Sequence, residues 1–296
     1  DLWKEKGYSP KASIGYEGSF ELVGANNVSA EARVPTESSF KMLHEVFPDA
    51  NMVDATNAIR TARIVKSRME IDLLRTACDI TALGYATARN LMIPGVTEAE
   101  VSGAVEATIY GKGVGYKGVR RARGYCFAMS GPNSSISWRP FCIASDRKLQ
   151  RGDTVLLELD AFADGYFIDL TRTMSVGEPT PRAQEIWGVI NEAVDASLSI
   201  IKPGVPVSEL NRVAQQVIID RGYGDNFVHH IGHGVGLQFH EPPTLHPQST
   251  EIVEEGMVFA IEPAIYIQGW AGIRIEENVA ATKDGYENLC LYPRSL

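Results

Sequence analysis

The sequence predicts an α+β fold of two similar halves, with curved antiparallel sheet inside and helices outside, preceded by the remnant of an α/β N-terminal domain. Three observations predict it. Residues 67–180 and 181–296 each read as helix, Pro-Gly break, helix, then β-rich sequence. "DTVLLELDAFADGYFIDLTRTM" alternates about Asp164-Gly165, the signature of a β-hairpin. "MVFAIEPAIYI" and "GIRIEENVAAT" supply further strand-like runs in the second half.

The elements follow in order. In residues 1–61, "ASIGYEGS" and "NMVDAT" read as strands and "TESSFKMLHEVFP" as a helix begun by Thr36 or a neighbouring Ser. This is too little for an independent α/β domain. It is expected to be the C-terminal part of an incomplete N-terminal domain, with residues 62–296 forming the main domain. In "SRMEIDLLRTACDITALGYATARNLM", Ile71, Leu74 and Ala77 keep helical spacing, and Ser67 with Glu70 makes a capping box. "IPGVTEAEVSGAVEATIYGKG" repeats the design, with Thr97 as N-cap and Glu100 three residues later. The second copy runs through "EIWGVINEAVDASLSIIKPGVPVSELNRVAQQVIIDRGY", where Ser208 or a neighbour is the expected cap. Two such halves facing each other form a cleft.

Composition narrows the function. At 296 residues, 44% hydrophobic and 22% charged, the chain can bury a sizeable core. A formal net charge of −9 argues against a nucleic-acid-binding face. No apolar run approaches the roughly 18 residues of a membrane span; "VFAIEPAIYI" is short and interrupted by Glu262 and Pro263. Cys78, Cys126, Cys142 and Cys290 lie far apart with no C-x-x-C. That spacing argues against a zinc knuckle and against a disulfide framework, and it fits a reducing cytoplasm.

The chemistry concentrates in "HHIGHGVGLQFHEPP", residues 229–243, which holds four of the six histidines around Gly232, Gly234 and Gly236. A flexible loop is one reading; a metal or substrate site that needs close backbone approach is the other. Carboxylates elsewhere favour the second. Glu158 and Asp160 sit two apart on one strand face, and Asp169 lies on the returning strand. Glu262 and Glu276 each interrupt an apolar run. Buried carboxylates need compensation, and a set of carboxylates with one imidazole suits two divalent ions such as Mn²⁺, Co²⁺, Fe²⁺ or Zn²⁺ sharing a water. His44 and His246 match no motif and read as surface or structural groups; His230 reads as a packing neighbour.

The set "ELDAFADGYFIDLTRT", "HHIGHGVGLQFHEPP", "GMVFAIEPAIY" and "GIRIEENVAAT" resembles the pita-bread (M24) metallopeptidase family, in its aminopeptidase P, prolidase and creatinase branch. The resemblance covers about residues 62–296 in the right order. It implies the pita-bread fold and a dinuclear site whose metal ligands are Glu158, Asp169, His233, Glu262 and Glu276. His229 and His240 match two histidines that contact substrate and assist proton transfer, and Arg274 matches an Arg beside the bridging Glu. The implied reaction is Xaa-Pro peptide hydrolysis, in which a metal-bound hydroxide attacks the amide while Glu262 shuttles the proton. A homodimer acting on a short peptide or small molecule is implied as well.

Three departures qualify this. Glu158 stands where the family has Asp, and Asp160 where it usually has Gly. In "SGPNSSISWRPF", Trp138 occupies the place of a substrate-binding His. Trp138 is either core or a wall of the substrate cleft near His240, where an indole can cover a cation. The alternative reading is therefore a non-peptidase of the same fold, acting on a small cationic compound as creatinase or the dimethylsulfoniopropionate lyases do. A third is a catalytically inactive binding module.

Overall fold

A computed structural model describes residues 5–7, 9, 11–16, 37–139 and 144–296. Two compact units result, Asp1–Ile64 and Val65–Leu296. In the first, β1 (Ser13–Tyr16) pairs in parallel with β2 (Asn51–Asp54), and the described residues include the helices α1 (Glu37–Val46) and α2 (Thr56–Ile64). The expected cap Thr36, Cys142 and the end of "ASIGYEGS" lie outside the described residues.

The second unit opens with α3 (Arg68–Asn90) and α4 (Glu98–Gly113). Both begin at the expected capping boxes. Ser67 N donates to Glu70 Oε2 at 2.7 Å, and Thr97 N donates to Glu100 Oε2 at 2.7 Å. β3 (Ala122–Ser130), β4 (Thr154–Ala163) and β5 (Tyr166–Ser175) follow as an antiparallel sheet with β4 in the middle. The helices lie on this sheet, and Leu74, Ile80, Ile109, Leu157 and Leu159 fill the space between. The β4–β5 turn is Asp164-Gly165, both with positive φ, as a two-residue hairpin of the right twist demands. Asp164 Oδ1 accepts from the backbone N–H of Arg120 and Arg121, which fixes the turn.

The second half repeats the plan. α5 (Pro181–Ser199) and α6 (Val207–Asp220) precede β6 (Gly232–Gly234), β7 (Glu241–Thr244), β8 (Val258–Ile261), β9 (Ala264–Ile267), β10 (Ala271–Arg274), β11 (Glu277–Ala281) and β12 (Tyr286–Asn288). Five of them form a sheet in the order β12-β11-β8-β6-β7, while β9 pairs with β10. This is the antiparallel α+β fold expected, and the sheets among the described residues form no closed barrel. Among the described residues no helix is long and apolar enough to cross a membrane.

Three local expectations change. Ser208 lies inside α6, whose N-cap is Pro206 without a side-chain cap; Val207 N donates instead to Glu251 O at 2.9 Å, so the neighbouring segment caps this helix. "MVFAIEPAIYI" and "GIRIEENVAAT" are each two strands, broken after Ile261 and after Arg274. Pro263 has no N–H for a ladder, which ends the first run there. Cys78 and Cys290 form a disulfide across 212 residues of sequence. Spacing along the chain gave no sign of it, because folding alone brings their Cα atoms to 5.1 Å, within bridging range.

Candidate metal centre

The hairpin ladder sets the first part of the site. Asp160 stands directly opposite Asp169, and Glu158 opposite Thr171, so all four side chains share one face. Asp169 is 3% exposed and Asp160 8%. Oxygens of Glu158, Asp160 and Asp169 lie within 4.8 Å of one another.

β6 brings the imidazole. It lies between β8 and β7, with His233 opposite Ala260 on one side and Thr244 on the other. A Cβ at Gly232 would collide with the carbonyl oxygen of Ala260, and one at Gly234 with that of Pro242. The glycines of "HHIGHGVG" therefore serve close backbone approach. His233 Nδ1 lies 2.9 Å from Gly234 O, and since a carbonyl only accepts, Nδ1 carries the proton. Nε2 then faces Asp169 Oδ2 at 3.5 Å and Glu262 Oε1 at 3.6 Å. One ring nitrogen held by the backbone and the other aimed at carboxylates is the arrangement of a metal-binding histidine.

The two glutamates come from the strand breaks. Glu262 follows β8 and its N–H donates to Ile231 O at 2.7 Å. Glu276 sits between β10 and β11, and its N–H donates to Thr171 O at 3.1 Å. His233, Glu262 and Glu276 form one group of mutually close donors; Asp169, His233 and His240 form another. Arg274, 4% exposed, threads between the carboxylates. Its Nη2 pairs with Glu158 Oε2, and its Nε donates to Thr171 Oγ1 at 2.8 Å. Thr171 Oγ1 in turn donates to Glu276 Oε2 at 2.9 Å. The extra methylene of Glu158 thus reaches a guanidinium.

Electrostatics reflect the crowding. Burial pushes Glu262 up to about 7, against the pull of Arg274 and His233. Burial, then the charge of Asp169, holds Glu276 and Asp160 well above the ordinary carboxylate range. Asp169 goes the other way: burial would raise it, but the adjacent His233 outweighs this and lowers it. Burial likewise opposes the charged form of His233, yet its carboxylate neighbours raise it. Asp160 Oδ1, Asp169 Oδ1, Glu276 Oε1 and His233 Nε2 are buried without a hydrogen-bond partner. Orphaned donor atoms of this kind, converging from two sheets, suit a divalent cation.

The remaining expected residues fall at the edge. His240 is half-exposed, with Nε2 3.7 Å from Asp169 Oδ2 and its ring centroid 3.9 Å from that of His233. His229 has both nitrogens engaged: Nδ1 donates to His230 O at 2.7 Å, and Nε2 lies 3.1 Å from Tyr266 Oη. Tyr266 Oη also lies 3.3 Å from Arg274 Nη1. His230 is outside the donor groups; its Nδ1 accepts from Gly232 N at 3.3 Å. His44 and His246 are exposed. Trp138 is 42% exposed, so it is no core residue, and the Arg139 guanidinium lies 5.0 Å from its ring centroid. Sequence reading missed Thr171 and Tyr266. Thr171 was findable, two residues from Asp169 and so on the same strand face; Tyr266 carried no comparable signal.

Residues 72–283 match metallopeptidase family M24. This chain belongs to that family. The Xaa-Pro dipeptidase of Pyrococcus furiosus is 32% identical over 96% of this chain and 75% of its own length, and that of Pyrococcus horikoshii 33% over 93% and 76%. Among solved structures, an Xaa-Pro dipeptidase from Bacillus anthracis superposes with TM-score 0.83 at 30% identity, covering all of this chain and 77% of that one. An X-Pro aminopeptidase from Thermotoga maritima gives 0.81 at 31%, covering 88% and 73%. The fold is therefore the pita-bread fold of these M24 enzymes, and the chain is a metallohydrolase of their kind.

Proposed function

We propose that this M24 chain is a metal-dependent peptidase of the Xaa-Pro dipeptidase and aminopeptidase type, cleaving the amide before a proline in short peptides. The convergence of buried Asp169, His233 and Glu276 with partly buried Glu262 carries this reading. Five carboxylates against one guanidinium leave four negative charges, which two divalent ions balance; Mn²⁺, Co²⁺, Fe²⁺ and Zn²⁺ all suit such N/O donors. Glu158, Asp169, His233, Glu262 and Glu276 are the proposed ligand set. When bound, the ions polarise the scissile carbonyl and acidify a water.

The protein's own groups do the rest. Glu262, which faces His233 at 3.6 Å, takes a proton from that water and returns it to the departing amine. His240 stands at the exposed rim beside Asp169, where a substrate would enter, and orients it. Without metal, the charge of the His233 ring alongside and burial disfavour protonation of His240. His229 acts through the Tyr266 hydroxyl it holds. Arg274 ties Glu158, Thr171 and Tyr266 into one frame. Trp138 is proposed as a cleft wall. It ends the segment in which Ser134 Oγ accepts from Gly272 N at 2.8 Å, two residues before Arg274. Arg139 already covers its ring, which removes the main support for a cationic substrate.

A homodimer completes the proposal; the Cys78–Cys290 disulfide removes the cysteine argument for a reducing cytoplasm. The test is hydrolysis of Ala-Pro, Leu-Pro and Met-Pro by protein loaded with each of the four ions. Proline release is expected with at least one ion. Full metal content with no cleavage of any Xaa-Pro peptide would sink the peptidase reading.

A further inference from the structure

Glu158 and Asp160 share a strand face, but their charges are met differently. Glu158 is paired with Arg274, which is itself fixed by Thr171 and Tyr266. Asp160 is more than nine-tenths buried and faces another carboxylate, Asp169, directly across the ladder. Its Oδ1 has no hydrogen-bond partner, and neither has Oδ1 of Asp169. Two buried carboxylates side by side with no cation between them are costly. Relief requires a proton or a positive ion. The guanidinium that could supply the charge is committed to Glu158.

We propose that Asp160 is a metal ligand, sharing a divalent ion with Asp169, and that Glu158 serves chiefly as the anchor of Arg274. This rests on the metal reading above and revises its ligand set. The oxygens of Asp160, Asp169 and Glu158 are close enough for one ion's shell to span any two of them. A carboxylate already bridged to a buried guanidinium has less charge to offer an ion than one with an orphaned oxygen. The side-chain exchange is coherent: the longer Glu reaches Arg274, and the shorter Asp two residues on would take its place as ligand.

The test uses the full chain, stripped by chelator and titrated with Mn²⁺ alone by calorimetry, with metal content measured after gel filtration. Asp160→Asn is expected to lose one equivalent of Mn²⁺, or to bind it at least about tenfold more weakly, as losses around metal sites commonly run. Glu158→Gln is expected to keep the wild-type stoichiometry within about threefold in affinity. Metal-free Asp160→Asn should melt no lower than metal-free wild type, since the substitution removes a buried carboxyl that faces Asp169; that melt shows the variant is folded. Wild-type stoichiometry and affinity in Asp160→Asn, with wild type binding Mn²⁺ normally, overturns this inference alone. So does loss of an equivalent in Glu158→Gln but not in Asp160→Asn. A wild type that binds no Mn²⁺ overturns it together with the metal reading.

Discussion

The two halves deliver carboxylates to the same point by different means. In the first half, Glu158, Asp160 and Asp169 project from an unbroken ladder, where the two-residue period of β4 and the Asp160–Asp169 register fix their directions. In the second, Glu262 and Glu276 stand where strands stop, and single backbone bonds to Ile231 and Thr171 hold them. A ladder residue is positioned by many equivalent hydrogen bonds and tolerates loss of any one. A junction residue depends on a few named partners. Since one of those partners, Thr171, belongs to the first half, the second half's geometry is not its own. Arg172 adds to this dependence: its guanidinium, 1% exposed, donates to Glu276 O and meets Glu277 Oε1 at 3.2 Å.

The largest expected effect comes from Asp169, the ladder carboxylate that two of the three donor groups contain. Asp169→Asn removes a charge from beside His233 and His240 while keeping shape and register. If the ions supply several kcal/mol to the barrier, catalytic efficiency should fall about 100-fold or more at about 1.36 kcal/mol per decade, with metal content falling in parallel. Full metal content in purified Asp169→Asn would remove it from the site.

Next is a pH effect in which one group from each region, Asp169 and Glu262, carry opposite signs. Glu262, raised from 4.5 to about 7 in the metal-free protein, gives stability that is present below 4.5 and lost as pH rises through about 7. Asp169 is lowered, so its contribution is present above 3.8 and lost only on acidification below that. Between pH 5 and 7.5 Glu262 therefore acts and Asp169 does not; Glu276 and Asp160, raised as well, act with Glu262, while His229 and His240, both lowered, act against it. Read as the difference between wild type and Glu262→Gln, Glu262 should cost metal-free protein at most about 3 kcal/mol over that interval, and the rise in Tm on adding metal should grow with pH. Glu262→Gln should flatten the metal-free trend. A metal-dependent shift that shrinks from pH 5 to 7.5 would show that another group sets the balance.

The same contrast explains what could be read in advance. The hairpin was legible because alternation and a two-residue Asp-Gly turn are local signals, and both capping boxes are four-residue patterns. The helix-helix-strand repeat gave the two-half plan. The junctions were not legible as junctions: "AIEPAI" reads as one apolar run until β8 and β9 are seen in different sheets. Ser208 misled because α6 is capped by residue 251, far away in sequence. The Cys78–Cys290 bridge and the Tyr266 link to His229 are likewise contacts that only the folded chain creates. The five proposed ligands were picked out on resemblance, yet which of them an arginine would claim depended on the reach of Glu158 in space.

The smallest expected effect tests whether the halves are coupled as this contrast implies. Thr171 Oγ1 accepts from Arg274 Nε and donates to Glu276 Oε2, so one hydroxyl joins a ladder position to a junction carboxylate. Thr171→Val keeps the β-branched shape in a buried strand but leaves both partners short of a bond. Arg274 retains Glu158 and Tyr266, and Glu276 retains its backbone bond to Thr171 O. The loss in metal affinity should therefore fall at the low end of the range for groups that orient ligands, about tenfold. Thr171→Ser restores the hydroxyl and should recover most of it. The decisive comparison is a double-mutant cycle with Glu276→Gln, read as Mn²⁺ affinity. Coupling predicts that Thr171→Val costs much less once Glu276 is changed. Strictly additive losses would mean that Glu276 is placed by its own backbone, and that the two halves meet at the metal site without holding one another there.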